Sequence, residues 1–500
     1  MSVTTSALAT TASRLYVAVL GLIAMPWYAR LLGEEAYGLV ALFLLLQAWF
    51  QIFDLGFTAA LTREAARQRA GALSARALWG LVVSLEALVW GLGVAAAGVL
   101  WWLADPLARH WLQLEGLSPE SAAFAIRLMV VCTLLRLGTE LYRGLLAGSE
   151  RLVWLAGSAA AFGSLRLLGV LPFLVWAGPS PMAFFVYHLA VALLEVSVLR
   201  AQAMRRLPAV PGWKPTPAWE PVQRVLGLSL AMSLATLVWA LSSQVDKLVL
   251  SGLLSLKDFG GFSLATTAAA AVLLATGALG DSLVPRLTAL MAAGSADDLR
   301  RLYRQATQIG GVLAWSVAAW LAFHAESVLW VWTGQSDWAE QWAPVVVMYA
   351  LGNAALALSA FPFYLQLAHG QLRLHVIGTG CMAILLVPVV WWAADAWGAP
   401  GASAAWLGAN LMYLLLWTPL SHRRFAPGLH RSWLLDDVLP PALLALTVGW
   451  GTSAVALPQH RGGAAALLLL TMALIVLASA AGSTSLRQQG MQHLARWRPT

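Results

Sequence analysis

The chain has 500 residues, of which 60% are hydrophobic and 11% are charged, against roughly 45–50% and about 25% in soluble domains. A soluble fold could not bury that much apolar surface, so the composition excludes a soluble enzyme, a secreted disulfide scaffold and a disordered protein, and indicates a chain embedded in lipid. The formal net charge of +8 is explained by an excess of basic residues in cytoplasmic loops and needs no nucleic-acid partner.

Fourteen apolar segments are each long enough to cross the hydrocarbon core as a helix, which takes about 20 residues. Barrel strands would be about ten residues long and alternate in hydrophobicity, so run length predicts an all-α integral membrane fold. The first segment continues to Leu32, which is too long for a signal peptide and predicts an uncleaved helix. The predicted spans are 15–32, 38–60, 77–102, 122–146, 154–177, 182–203, 226–252, 259–284, 306–332, 343–367, 375–394, 402–420, 438–457 and 464–482.

Basic residues are distributed unequally among the connections between these spans. With the N-terminus inside, the parts predicted to face the cytoplasm hold 23 Lys and Arg residues, and those predicted outside hold four. This bias predicts fourteen helices with both termini cytoplasmic. The predominance of Arg over Lys in an Ala-rich chain is typical of a high-GC bacterial genome, so we expect the bacterial cytoplasmic (inner) membrane.

An internal repeat relates the two halves of the chain. Segment 31–42 matches 253–264, and segment 142–152 matches 364–374, both at an offset of 222 residues. Since this offset spans six helices, the halves have the same orientation in the membrane and form two parallel six-helix lobes. The predicted organisation is an N-lobe of spans 1–6 (1–204), a basic, Pro-rich cytoplasmic linker (205–225), a C-lobe of spans 7–12 (226–421), and spans 13–14 with a cytoplasmic tail (422–500).

Two motifs near the N-terminus resemble a known family. Residues 30–39 read Arg-Leu-Leu-Gly-Glu-Glu-Ala-Tyr-Gly-Leu, and Phe53-Asp54-Leu55-Gly56 then closes the second span, with Arg63-Glu64 beyond it. This pattern resembles the N-terminal signature of the polysaccharide-transporter branch of the MOP flippase superfamily, the Wzx-type flippases of lipid-linked oligosaccharides. Two six-helix lobes followed by two further helices match that family in order and length.

The resemblance implies a V-shaped pair of lobes around a central cavity with alternating access. It implies a carrier, not an enzyme, which moves an undecaprenyl-pyrophosphate-linked oligosaccharide to the outer leaflet for O-antigen, capsule or exopolysaccharide synthesis. The implied partners are this lipid-linked oligosaccharide, membrane lipids, a polysaccharide polymerase and glycosyltransferases. It implies no cofactor, but cationic cavity residues for the pyrophosphate and an H⁺ or Na⁺ gradient for drive.

Cations inside or beside the spans are the candidate pyrophosphate ligands, because ionisable groups in a membrane are costly and mark functional pathways. Arg136, Glu140 and Arg143 recur at i, i+4 and i+7 and therefore share one helix face. A guanidinium fork matches phosphate oxygens, although an Arg136–Glu140 pair would neutralise itself. The candidate ligands are Arg136, Arg166, Lys247, Arg14 and Arg30.

Each of the other cations also has a structural interpretation. Arg166 lies in the middle of the fifth span, where it could instead pair with Glu140 as a lock between helices. Lys247 follows Asp246 directly and could form an interfacial ion pair with it. Arg14 and Arg30 bracket the first span, which suits either gates at the two membrane faces or contacts with lipid headgroups.

Several carboxylates could support the cations or couple transport to an ion gradient. Asp54 and Asp281 end the second and eighth spans, although Asp-x-Gly at a helix end is equally a turn device. Glu86 and Glu195 are interpreted as structural, either neutral or paired to Arg within the bundle. The candidate supporting or coupling carboxylates are Glu140, Asp246, Asp54 and Asp281.

Three alternatives stay open. A lipid II flippase would have the same helix count, whereas a multidrug or cation antiporter should have an acidic cavity and usually stops at twelve helices. A membrane polysaccharide polymerase or ligase would need a large external loop with Arg, His or acidic residues, and the largest one here is about 103–121. The sequence contains no Walker-type nucleotide loop, and neither Cys132 nor Cys381 suggests a disulfide or metal site.

Overall fold

The computed structural model describes residues 3–212 and 216–488, without the side chains of residues 3–7, of several positions between 228 and 242, and of 278 and 281. Within these ranges the chain is helical and has no β-strand, only an isolated bridge between Gln113 and Ser255. The predicted all-α fold is confirmed. The chain divides into two compact units, Met1–Gly260 and Gly261–Thr500.

Ten α-helices begin within the described residues of the first unit. Its helix bounds are α1 Val3–Leu32, α2 Glu34–Phe50, α3 Phe57–Arg69, α4 Ala75–Pro106, α5 Pro119–Gly148, α6 Leu152–Leu167, α7 Val170–Ala177, α8 Pro181–Met204, α9 Trp219–Leu253 and α10 Leu256–Ala269, the last of which continues into the second unit. A 3-10 turn, Gln51–Asp54, follows α2, and a π-helical turn, Leu107–Trp111, ends α4.

The second unit contains the remaining described helices. They are α11 Ala271–Ala292, α12 Ala296–Thr333, α13 Ser336–Ala368, α14 Arg373–Met412, α15 Thr418–Phe425, α16 His430–Ser432, α17 Leu439–Ser453 and α18 Arg461–Gly482. Asp437 anchors the C-terminal helices to α12, because it accepts hydrogen bonds from Arg304 (2.6 Å) and from Gln308 (2.6 Å). Gln308 in turn accepts from Ser483 at 2.8 Å, just past α18.

Twelve helical segments in the described ranges are long and apolar enough to cross a bilayer. The sequence predicts fourteen spans, and the difference arises at two places in the chain. The predicted seventh span lies in α9, a 35-residue helix that is not among the twelve. The predicted eleventh and twelfth spans lie in one run, Arg373–Phe425, which bends at Gly398 with a φ of 62°. The predicted lobe boundaries, 1–204 and 226–421, stay a prediction, and part of the 205–225 linker lies outside the described residues.

Serine caps set the beginnings of three long helices. The side chains of Ser74, Ser118 and Ser180 each accept a hydrogen bond from the backbone N–H three residues later, at the starts of α4, α5 and α8. Such caps satisfy one of the N–H groups that a first helical turn leaves without a partner. A proline directly follows Ser118 and Ser180, at the position where its missing N–H costs nothing. These local signals fix where the spans begin.

The predicted second span, 38–60, ends early. Helix α2 stops at Phe50, the 3-10 turn follows, and the chain reverses at Leu55 (φ 47°) and Gly56 (φ 69°), both left-handed. A left-handed backbone is unfavourable for a side chain such as leucine and natural for glycine. The residues after the turn form the separate, amphipathic helix α3, in which Phe57 and Leu61 are fully buried.

Helix α3 packs closely on the end of α5 through a Gly-x-x-x-Gly pair, Gly144 and Gly148. A Cβ on Gly144 would lie 2.6 Å from the backbone oxygen of Thr58, and a Cβ on Gly148 would collide with the backbone oxygen of Thr62. Thr62 also donates a hydrogen bond to the Gly144 carbonyl at 3.0 Å. Small residues at this spacing let membrane helices approach backbone to backbone.

Gly148→Leu is therefore expected to destabilise the protein by about 1–3 kcal/mol, because the new side chain collides with backbone rather than with a movable side chain. Gly157→Leu is the matched control, since nothing lies within 4 Å of a Cβ at Gly157, and its effect should stay within about 0.5 kcal/mol. Thermal unfolding of the detergent-solubilised protein measures both. Equal stability of the two variants would contradict the close packing of α3 on α5.

Candidate functional site

A polar cavity of about 300 Å³ lies within the first unit, between α2, the 3-10 turn, α3 and α5. Three ionisable side chains line it, Arg136, Glu140 and Asp54, in a protein that is otherwise largely apolar. The remaining lining residues are Gln47, Phe50, Gln51, Thr58, Thr133 and Leu137. This cavity, called the polar cavity below, brings together Arg136, Glu140 and Asp54 among the residues predicted from the sequence.

The contribution of Gln47 and Gln51, on α2 and the 3-10 turn after it, was not predicted, although its signal is present in the sequence. Gln47, Gln51 and Asp54 recur at i, i+4 and i+7, which is the spacing of one helix face. The same spacing relates Arg136, Glu140 and Arg143 on α5. The cavity forms where these two polar faces approach each other, with Gln47 and Arg136 in direct contact.

Arg136 is half-buried and donates a hydrogen bond from its guanidinium to the side-chain oxygen of Gln47. Within the described residues it has no carboxylate at ion-pairing distance, so the anticipated Arg136–Glu140 pair does not form. Glu140 instead lies 3.5 Å from Arg143. A guanidinium has five N–H donors, and one bond to an amide leaves most of them available to an anion in the cavity.

Arg166 pairs with a carboxylate other than Glu140, the partner suggested by its structural interpretation. Its guanidinium donates to Glu195 at 3.1 Å, and Arg143 donates to the other oxygen of the same carboxylate at 2.5 Å. The Glu195 side chain is 3% exposed. The interpretation of Glu195 as a carboxylate paired to Arg within the bundle is confirmed. Arg166 thus links α6 to α8, does not contact Glu140, and is absent from the lining of the polar cavity.

Asp54 has a structural role at the end of α2. Its side chain accepts hydrogen bonds from the hydroxyl of Thr58 at 2.5 Å and from the Thr58 backbone N–H at 3.2 Å. These bonds span the left-handed turn at Leu55 and Gly56, which is the turn-device alternative for Asp-x-Gly. Asp54 also lines the polar cavity. The side chain of Asp281 lies outside the described residues.

A protein-family model described as polysaccharide biosynthesis protein matches residues 3–291. The chain belongs to this family. The resemblance to the polysaccharide-transporter branch of the MOP flippase superfamily is confirmed, and the protein is a multi-pass membrane transporter by family and fold.

Two solved structures have folds similar to that of this chain. The fold is similar to that of the lipid II flippase MurJ in an inward closed conformation, with 12% identity, a TM-score of 0.74, and coverage of 95% of this chain and 98% of that one. It is also similar to an inward-facing multidrug resistance MATE family transporter of the MOP superfamily, with 16% identity, a TM-score of 0.69, and coverage of 84% and 98%. A comparison with curated protein sequences gave no match.

The other cations predicted for this polysaccharide-family transporter lie elsewhere. Lys247 pairs with its neighbour Asp246 at 3.9 Å on α9, and Asp246 is 1% exposed. Arg14 is exposed on α1. Arg30 is exposed at the end of the same helix and lies over the ring of Trp27, 5.8 Å from its centroid. None of these residues lines the polar cavity, and their roles in binding stay predictions.

A second ionic cluster connects α4, α5 and α8. Glu86 accepts hydrogen bonds from the hydroxyl of Tyr142 at 2.5 Å and from Arg200 at 2.7 Å. Of the two interpretations of Glu86, neutral or paired to an arginine, the structure shows the pair. Glu86, Glu140 and Glu195 thus each lie within ion-pairing distance of an arginine, whereas Arg136 contacts an amide.

Proposed function

We propose that this protein is a flippase that moves an undecaprenyl-pyrophosphate-linked oligosaccharide across the bacterial inner membrane by alternating access. The polysaccharide biosynthesis family and the MOP-type fold support a transporter of this kind. The observation that carries the proposal is Arg136, a half-buried cation without a carboxylate partner among the described residues, in a polar cavity inside a membrane-spanning bundle. The product would be used for O-antigen, capsule or exopolysaccharide synthesis.

The chemistry of the polar cavity suits a pyrophosphate. The guanidinium of Arg136 can bind two phosphate oxygens side by side. Gln47 adds an amide whose Nε2 is buried without a hydrogen-bond partner in the described part of the chain. Arg143 and Arg166 are balanced by Glu195 and Glu140, so Arg136 is the cation of this group that has no carboxylate at ion-pairing distance among the described residues. Glu140 and Asp54 keep the cavity from being purely cationic, which would favour release.

A lipid II flippase is the second candidate. The match to the lipid II flippase MurJ covers 95% of this chain, whereas the multidrug transporter match covers 84%. The additional coverage favours lipid-linked substrates over drugs or cations. The same polar cavity would then hold the head of that lipid.

The proposal also includes the orientation of the helices in the membrane and the ion gradient that drives transport. The charge bias of the connections supports cytoplasmic termini, so the polar cavity would lie toward the cytoplasmic half of the membrane. Coupling to an H⁺ or Na⁺ gradient is proposed for Glu140 and Asp54, which line the cavity with Arg136. A membrane polymerase and glycosyltransferases are the proposed partners.

Depletion of the protein tests the function directly. Lipid-linked oligosaccharide should accumulate on the inner face, measured as the fraction that resists a periplasmically added lectin or glycosidase in spheroplasts, and wild-type protein should restore its exposure. Inner-face accumulation of lipid II with a normally exposed oligosaccharide lipid would favour the second candidate. Normal exposure of both, with unpolymerised oligosaccharide accumulating outside, would contradict a flippase and favour a polymerase or ligase.

A further inference from the structure

A second, apolar cavity of about 360 Å³ lies in the first unit next to the polar one. Its volume is within the range of ligand-binding pockets, about 300–1,000 Å³. Its lining is hydrophobic apart from Ser251, which accepts a hydrogen bond from Trp111 at 3.1 Å. Phe50 borders both cavities. A lining that is this largely apolar suits a hydrocarbon chain better than a sugar.

The two cavities follow one another along α5 and lie side by side along α2. On α5, Ile126, Met129 and Val130 line the apolar cavity, and the lining changes to Thr133 and Arg136 within one to two turns. On α2 and the 3-10 turn after it the two linings instead alternate: Trp49 and Phe53 still line the apolar cavity, while Gln47, Gln51 and Asp54 line the polar one. Six residues separate Val130 from Arg136, which is about 9 Å along a helix axis.

Two hydrogen-bond donors without partners in the described part of the chain lie on α2, one in the lining of each cavity. The Nε2 of Gln47 and the indole N–H of Trp49 are both buried and have no acceptor in the described part of the chain. Buried donors normally have a partner, because an unsatisfied one has given up its hydrogen bonds to water. Gln47 lines the polar cavity in direct contact with Arg136, so an anion bound there could accept hydrogen bonds from both side chains.

We propose that the apolar cavity binds the head-proximal part of the polyprenyl chain of the same lipid whose phosphate lies at Arg136. This inference rests on the proposed function and specifies its substrate site as a junction of head and chain within the first unit. A lipid of the cytoplasmic leaflet has its head toward the cytoplasm and its chain toward the bilayer centre. With the N-terminus inside, the apolar cavity lies on the external side of the polar cavity along α5, which is the side toward which the chain of such a lipid extends.

The test compares a head-only probe with a head-and-chain probe. Methyl diphosphate and citronellyl diphosphate, which carries two isoprenoid units, are titrated against the full chain in lipid nanodiscs, with empty nanodiscs subtracted. We expect citronellyl diphosphate to bind at least about tenfold more tightly, because burial of even a few methylene groups gives that factor. Arg136→Ala should weaken the binding of both probes.

Filling the apolar cavity should remove only the affinity that the isoprenoid chain of the probe adds. Leu42→Trp and Leu46→Trp place bulk at two half-buried lining positions, and each should bring citronellyl diphosphate to within about twofold of methyl diphosphate. Leu44→Trp is the matched control on the same helix, because Leu44 is 38% exposed and does not line the cavity. Thermal unfolding identifies the variants that fold. Two filling variants are used so that the test can still be made if one of them does not fold.

The outcomes separate this inference from the function on which it rests. Equal, Arg136-dependent affinity for both probes, or tight citronellyl binding in a folded filling variant, would overturn the apolar site and leave the flippase proposal standing. Failure of wild-type protein to bind either probe would overturn the inference together with the pyrophosphate site.

Discussion

Replacing Arg136 by alanine is expected to lower the rate of lipid-linked oligosaccharide translocation by about 10- to 100-fold without unfolding the protein. A hydrogen bond to a charged group contributes about 1.5–3 kcal/mol, and about 1.4 kcal/mol corresponds to a factor of ten. The loss of Arg136 removes no carboxylate partner within the described residues, so little structural energy is lost. Arg136→Lys should give an intermediate rate, since it keeps the charge but not the planar fork.

Arg127→Ala is the matched control for Arg136→Ala. Arg127 lies on the same helix, α5, but it pairs with Asp105 and lies over the ring of Trp101 rather than lining the polar cavity. Its replacement should change translocation by less than about twofold. The measurement is the rate at which lipid-linked oligosaccharide becomes accessible to an external glycosidase in proteoliposomes. Wild-type rates for Arg136→Ala, or equal losses in both variants, would remove Arg136 from the proposed site.

The helices of this fold could be predicted because run length and composition determine them, whereas the turn after α2 could not. Apolar residues continue from Leu55 through Leu61, so hydropathy extends the second span across a place where the backbone reverses. The reversal depends on left-handed conformations at Leu55 and Gly56 and on hydrogen bonds from Thr58 to Asp54. The Asp-x-Gly motif indicated a turn, but not that a separate helix, α3, would follow it.

The position of Arg136 could be predicted, but its partner could not. Helix periodicity shows that Arg136, Glu140 and Arg143 share a face, and it does not show which of them ion pairs with another helix. Arg143 contacts Glu195, which is 52 residues away on α8, and that contact depends on how α5 and α8 pack. Gln47 and Gln51 have the same i, i+4, i+7 spacing with Asp54. The two glutamines were missed because amides carry no charge.

Glu195→Ala is expected to destabilise the protein by about 3–5 kcal/mol. The substitution leaves two arginines, Arg143 and Arg166, without their shared carboxylate in a site where Glu195 is 3% exposed. Breaking a buried ion pair from one side costs this much because the remaining charge stays desolvated. Thermal unfolding of the solubilised protein, referred to the wild type, measures the loss.

Two comparisons show whether the buried pairing of Glu195 with Arg143 and Arg166 causes this loss of stability. Glu220→Ala removes an ion pair with Arg224 whose side chains are 75% and 60% exposed, and an exposed pair contributes at most about 1 kcal/mol. Adding Arg166→Leu to Glu195→Ala should recover part of the lost stability, because it removes one of the two uncompensated charges and leaves an apolar side chain on α6. If Glu195→Ala were as stable as Glu220→Ala, or if the second substitution destabilised the protein further, Glu195 would not be the counter-charge that holds α5, α6 and α8 together. In that case Arg143 and Arg166 would be free to act as anion ligands beside Arg136.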